Sequence, residues 1–535
     1  MFKQITHMSA PLQPHSSFNR RRRFLPMRLA GVLWEWHKAD SVQSLWSSRP
    51  ARLSRAALGG LMIAGVAACG GGGNGSGFVA AFPMATTAPA PAPAPAPSAS
   101  PETPAPAPAP APTGPAPTYK VSGTVKGLLG TGLVLQNNVG DDLAIAADGS
   151  FSFATALASG AGYAVSVKSQ SRILTRTCTV SNGTGTVVNA AVVNVDVVCA
   201  APAVRFAYAT NAVSNNLFPY TVDTSTGVLG SMAAPMSGTG STPMAITVDP
   251  AGRFAYVANR GDNTVSVYSI GAGTGFLTPV ATIATGSAPL SIVVDPTGRF
   301  VYVVNQGIDR VSAYNIDAGT GNLTPMAVPQ VAVGLIPSVI ALDSLGRFAY
   351  VTNRGNNTVS AFSIDESSGA LSPLAVPTVP TGNNPFAIAL DPLGRFAYVA
   401  NSDDNTVSAY SIDAGSGVLT PMAAFATGVL PRAVAVDTTG RFAYVANTAE
   451  DTVSAYNIDS STGALTPMAI PMVAARVSPR AIALDPTGRF AYVTNSDSKD
   501  ISAYTIDAST GALTPMSVPT VATGGIGAWS LALSR

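Results

Sequence analysis

Three residues in the second half of this 535-residue chain hold the same place in successive copies of a repeated unit: Arg432, Arg480 and Trp529. An arginine presents a planar fork of donors that matches a carboxylate or phosphate, and an indole face can stack on a sugar ring. Carboxylates lie nearby in sequence, Glu450 and Asp451 in one variable loop and Asp497 and Asp500 in the next. Glu450 or Asp451 could serve as a base with Arg432 or Arg480 as electrophile. Alternatively, the carboxylates simply neutralise the arginines. Other chemistries are not provided for. All three histidines (His7, His15, His37) fall near the start of the chain, and no residues are spaced as metal ligands. Neither a Gly-x-Ser-x-Gly elbow nor a phosphate loop occurs. No metal and no cofactor is expected.

What must position these residues is the repeat itself. An Arg-Phe-(Ala/Val)-Tyr element begins at Arg205, Arg253, Arg299, Arg347, Arg395, Arg441 and Arg489, at spacings of 46 or 48 residues. A period of that size without helical patterning predicts four-stranded propeller blades. In one copy, "PFAIALD" (385–391) reads as strand A and "RFAYVAN" (395–401) as strand B. "TVSAYSID" (406–413) is strand C and "VLTPMAAF" (418–425) strand D. The first copy lacks a strand A, and the last is followed by a spare one, "AWSLALS" (528–534). Seven blades closed into a ring by the C-terminal strand are therefore expected over 201–535, which removes open sheet edges. The propeller is expected to be a monomer.

Residues common to every copy read as structural. Six of the arginines follow an aspartate by four (Asp249 to Asp485), a spacing that predicts local ion pairs across a turn. The strand-B Phe and Tyr read as packing between sheets, and the terminal Asn259, Asn353 and Asn401 as turn caps. Function is expected where copies differ: in the B–C loops, and in the residue opening strand A at the pore mouth. Round the ring that residue is Met244, Leu290, Ser338, Phe386, Arg432, Arg480 and Trp529.

The composition agrees, with 47% hydrophobic and only 11% charged residues, 51 glycines and 42 prolines, as turn-rich β structure requires. The net charge of +2 combines a basic N-terminal stretch with a mildly acidic repeat region, which argues against nucleic-acid binding. Residues 1–68 end in an apolar run, Ala56–Ala68, after Arg52 and Arg55. That run is too short to span a membrane and suits a signal peptide. "VAAC" (66–69) resembles the bacterial lipobox, which implies cleavage before Cys69 and its lipidation; an ordinary secretory signal is the alternative. Residues 69–117 are Gly/Ser-rich and then a Pro-Ala tract, a polyproline II stalk or disordered spacer. Residues 118–200 alternate apolar and polar residues between glycine turns, which predicts a small β-sandwich. It resembles the immunoglobulin-like modules of bacterial surface lipoproteins. Cys178 and Cys199 are expected to form a disulfide, worth roughly 3 kcal/mol by chain entropy. A membrane contact is expected through the lipid anchor only, in the cell envelope facing the periplasm or exterior.

"RFAYVTN", "NTVSAYSID" and "TGALTPM" resemble YVTN-type β-propellers and the seven-bladed lactonase family, which includes 6-phosphogluconolactonases and muconate lactonases. The resemblance covers 204–535. It implies lactone hydrolysis at the pore mouth, where the family's acid–base machinery involves histidine, arginine and glutamate. This region has no histidine, and its glutamates are Glu366 and Glu450. YVTN repeats also resemble those of surface-layer proteins. The expectation is therefore a lipid-anchored surface module binding a glycan, a peptide or an envelope protein. Lactone hydrolysis is the alternative.

Overall fold

The computed structural model describes residues 116–535 except 172–175, 202 and 233–235. The apolar run, Cys69 and most of the linker lie outside the described residues.

Residues 118–200 fold as two four-stranded sheets. One joins Val121–Lys126, Gly149–Ser152, Val192–Ala200 and Thr177–Ser181; the other joins Leu133–Asn137, Asp141–Ile145, Gly162–Ser169 and Thr184–Thr186. Val121, Leu133, Leu135, Phe153, Val165 and Val197 close one core between them, so the alternation in sequence is an alternation of faces. Cys178 and Cys199 are direct partners in the ladder and are disulfide-bonded.

Residues 206–534 form seven antiparallel sheets, each in the order A-B-C-D from the axis outward. The copy parsed above has strands Pro385–Leu390, Phe396–Asn401, Thr406–Ile412 and Leu419–Ala426. Blade 1 takes its strand A from the C-terminus: Ala528–Ser534 pairs with Phe206–Asn211, with Ala207 opposite Leu533 and Ala209 opposite Leu531. Each strand B is buried along its whole length, because its two faces pack on the two neighbouring blades. Among the described residues, seven apolar clusters fill the seven inter-blade spaces.

The repeated polar residues do more than fix turns. Each strand-B tyrosine donates from its hydroxyl to a glycine carbonyl in the C–D turn of the next blade. Tyr256 reaches Gly321 at 3.1 Å and Tyr398 reaches Gly463 at 2.8 Å; Tyr492 closes the ring onto Gly227 at 2.6 Å. The preceding arginine stacks on its neighbouring phenylalanine and donates to a carbonyl of the same turn, as Arg395 does to Ser460 and Arg489 to Thr224.

The expected Asp–Arg pairs form in only three blades: Asp249–Arg253, Asp343–Arg347 and Asp391–Arg395. In the other three blades a threonine two residues after the aspartate intervenes. Thr297, Thr439 and Thr487 donate to the aspartate and accept from Arg299, Arg441 and Arg489. In all six, the carboxylate accepts backbone amides across the turn, as Asp391 does from Arg395 and Phe396. Asn259, Asn353 and Asn401 donate to strand C instead of capping their own turn, and Asn353 also accepts the Gly334 amide of the D–A loop at 3.0 Å. Asn401 is buried and donates to Thr406 and Ser408 on strand C, at 3.0 and 2.8 Å.

Candidate functional site at the pore mouth

The B–C and D–A loops share one face, and the site is built from how the chain enters strand A there. In blades 2 to 7 strand A starts with proline, and the residue before it is left-handed although it is not glycine. Thr242, Ile336 and Leu430 have φ of 55°, 51° and 58°. That conformation is unfavourable for such side chains and must be held from outside. A side-chain oxygen from the preceding blade holds it. Asp309 accepts the Ile336 amide at 2.8 Å, Asn405 that of Leu430 at 2.9 Å, and Asp451 that of Ser478 at 2.9 Å. At the closing seam the corresponding residue is Lys499, and the position entering strand A is Gly527, with φ 76°.

The next residue forms a β-bulge. Pro431 pairs with Asn447 and Ala433 with Ala446, so Arg432 is the extra residue between them. The same register shift isolates Met244, Leu290, Phe386 and Arg480. Blades 4 and 1 skip a second residue as well, freeing Ser338 with Val339 and Trp529 with Ser530. A bulge re-aims a side chain away from the ladder, and here it aims the least repetitive residue of six blades at the axis, while blade 4 presents Val339 and buries Ser338.

These residues line one cavity of about 270 Å³, to which Met244, Leu290, Phe386, Arg432, Arg480 and Trp529 all contribute. The Arg480 guanidinium lies 4.8 Å over the Trp529 ring, and that of Arg432 lies 4.6 Å over Phe386. Stacking of this kind contributes about 1 kcal/mol and fixes the guanidinium plane. Arg354, from the B–C loop of blade 4, stacks on Phe386 as well, at 5.2 Å, and donates to Asn384 at 2.6 Å. Burial pulls the Arg354 and Arg480 guanidiniums below their usual value, and the Asp403 and Asp497 carboxylates respectively oppose that shift.

Hydroxyls from the preceding blade brace this part of the mouth. Thr352 donates to the carbonyl of Phe386 at 3.1 Å and Thr494 to that of Trp529 at 3.2 Å. Ser402 and Thr448 donate to the carbonyls of Pro431 and Pro479, next to the two arginines, at 2.7 and 2.6 Å.

Arg432, Arg480 and Trp529 are thus brought together, as their places in the repeat imply. Glu450 and Asp451 do not line the cavity. Glu450 accepts the Val429 amide at 3.0 Å and lines a separate groove with Tyr456 and Met472; Asp451 is the blade-to-blade acceptor already described. Asp497 accepts from Ser478 and Ser496, and Asp500 pairs with Arg476 at 3.2 Å. No carboxylate among the described residues lines the cavity. Among the described residues no three His, Cys, Asp or Glu side chains are grouped to hold a metal. Phe386 falls among the pore-mouth positions expected from sequence, whereas Arg354 and the bracing hydroxyls do not. The available signal was Thr at the fifth strand-B position of some blades and Ser or Thr just after the terminal asparagine of others, which looks like neutral variation in sequence.

Comparison with known proteins matches the repeat region. The sequence profile described as "Lactonase, 7-bladed beta-propeller" matches residues 198–334, 334–436 and 423–526. No curated protein matches the sequence. Among solved structures, the periplasmic gluconolactonase of Pseudomonas aeruginosa is similar over 62% of this chain and 99% of its own, at 19% identity and a TM-score of 0.54. A candidate 6-phosphogluconolactonase of Bacteroides fragilis is similar over 62% and 98%, at 18% identity and a TM-score of 0.56. A protein from Lactobacillus plantarum is similar over 62% and 100%, at 20% identity and a TM-score of 0.53. At these identities the likeness is one of fold.

Proposed function

The chain belongs to the family of seven-bladed β-propeller lactonases, and from that premise we propose that its pore mouth binds a small lactone or the hydroxy acid to which it opens. The observation that carries this reading is the pair of stacked, partly desolvated guanidiniums, Arg432 and Arg480, facing one small cavity. When water attacks a lactone carbonyl, negative charge develops on the carbonyl oxygen. Fixed donors in a low-dielectric site stabilise that charge more than they stabilise the neutral ground state. The product carboxylate fits the same forked donors. The solved structures named as gluconolactonases share the fold and support the reading in that respect alone.

The lining supplies an electrophile and no carboxylate base. A hydrolase built this way takes its nucleophile as hydroxide from solution, so its rate rises with pH and shows no plateau near neutrality. Turnover of a lactone panel by the full chain, followed by proton release between pH 6 and 9, tests this. A rate that climbs with pH and collapses in Arg432→Gln/Arg480→Gln supports it. A rate no greater than that of buffer for every lactone removes the catalytic part.

The same lack of a lining carboxylate favours a second reading, in which the mouth binds its ligand without turning it over. This is a surface module for a glycan, a peptide or an envelope protein. Retention of the open acid with no hydrolysis would select it. We also propose that the chain is exported and anchored through a lipid on Cys69. The apolar run, "VAAC" and the disulfide between Cys178 and Cys199 support this, since such bonds persist in oxidising compartments. Mass spectrometry of the mature N-terminus is the test, and an unacylated protein starting elsewhere would refute it.

A further inference from the structure

The mouth is two-sided. Arg432 and Arg480 enter from blades 6 and 7. From blades 1, 2 and 3 come Trp529, Met244 and Leu290. Met244 and Leu290 are buried together with Ala212 and packed by Trp529, in a cluster of their own that fills none of the seven inter-blade spaces. An apolar group that closes no blade interface and lines a cavity is placed to meet something that enters the cavity. Of the twenty residues around that space, only Arg432, Arg480, Ser291 and Ser530 are not predominantly hydrocarbon or aromatic. The approach is apolar as well: Leu335, Ile336, Val429, Val477 and Ile526, in the D–A loops on the same face, are each close to half exposed.

Resting on the proposed reading of this site, we propose that its ligand is a small amphiphilic monoanion, or a lactone of the same shape. The carboxylate or acyl oxygen lies against Arg432 and Arg480. A short alkyl or aromatic arm lies on Met244 and Leu290, beside the Trp529 ring that Arg480 covers. Two features exclude a polyhydroxylated arm from that place. Each hydroxyl moved from water onto an apolar wall without a partner costs about 1–3 kcal/mol. The two serines cannot serve a whole sugar chain. A hydrocarbon arm gains instead, at about 0.8 kcal/mol per methylene buried. The charge side is complementary in the same sense, because guanidiniums enter the cavity and carboxylates do not.

Trp529 is an internal reporter. The other tryptophans of the chain lie before residue 47, so the difference between the parent and Trp529→Phe isolates its emission. The full chain is titrated with hexanoate, gluconate and hexanol. The expected result is hexanoate binding at least tenfold tighter than gluconate, with hexanol weaker than hexanoate by a similar factor. Arg432→Gln/Arg480→Gln should remove the preference for hexanoate over hexanol. Met244→Thr/Leu290→Thr should remove the preference for hexanoate over gluconate while gluconate binding persists, which also reports that this variant folds. Gluconate bound as tightly as hexanoate by the parent overturns the apolar-arm assignment and leaves the anion site standing. Binding of both acids unaffected by the arginine double variant, or no binding of either acid, overturns the site itself and this inference with it.

Discussion

The two faces of the propeller use one repeat in opposite ways. On the face of the A–B and C–D turns, every blade makes the same attachment. A strand-B tyrosine and its arginine reach the next C–D turn, from Tyr208 on Gly275 round to Tyr492 on Gly227. On the mouth face the backbone is equally regular, with a left-handed residue, a proline and a bulge, but the bulged side chain changes from blade to blade. Uniform attachments stabilise a ring without distinguishing its blades. A regular backbone with a variable side chain makes a site, because the geometry is inherited and only the chemistry is chosen.

The contrast can be broken most drastically at the seam. Removing residues 527–535 takes strand A from blade 1, exposes two sheet edges and opens the 7/1 core containing Leu531 and Phe490. The whole propeller is expected to lose cooperative unfolding, and a melting curve with unchanged midpoint would contradict closure as the source of stability. Alkaline pH attacks the uniform face as a set. Burial raises all seven strand-B tyrosines above their usual value. Their stabilising contribution is complete below the unfolded value of about 10 and declines as pH rises towards the folded values. Each tyrosine adds up to about 1.4 kcal/mol per pH unit over that range. The melting temperature should be flat from pH 7 to 9 and fall steeply above 10, while tyrosinate absorbance rises as the chain unfolds.

Single changes then separate the faces. Tyr492→Phe leaves the Gly227 carbonyl buried without its donor, at a cost of about 1–3 kcal/mol. Its effect on ligand affinity should be nil. Arg432→Gln/Arg480→Gln should lose ligand retention by calorimetry, while the two lost stacks, about 2 kcal/mol together, lower the melting temperature by about 4 °C. The smallest effect sharpens the comparison within the uniform face. Thr297→Ala frees Asp295 to pair with Arg299, as Asp391 pairs with Arg395 in a blade that lacks the threonine. Because the arginine is exposed, the net change should stay within about 1 kcal/mol, measured by denaturant titration.

Much of this was legible in sequence because period and alternation are linear properties. The strands of the copy at 385–426, the seven-blade count and the closure by 528–534 all follow from where Arg-Phe-x-Tyr recurs. The mouth residues followed too, since aligning the copies isolates the position that does not repeat. What was not legible depends on neighbours far apart in sequence. Glu450 and Asp451 look like free loop acids until the amides of Val429 and Ser478 are seen against them. Asp295 and Arg299 have the spacing of an ion pair, and the hydroxyl of Thr297 takes both partners. Arg354 belongs by sequence to blade 4 and by contact to Phe386 of blade 5.

The meeting of the propeller's two ends also has a mechanical meaning. The Arg205 amide donates to the Ser534 carbonyl at 2.8 Å, and strand B of blade 1 runs from that point to the mouth beside the strand that carries Trp529. Tension entering at residue 205 and resisted by a ligand at Trp529 therefore travels along one antiparallel pair. The part of that load carried by Trp529 passes through blade 1 alone. The pair is loaded lengthwise, with its cross-strand hydrogen bonds sharing the shear rather than opening one at a time. A molecule pulled in this way should hold its ligand until the ligand lets go, and the ring should still be closed afterwards.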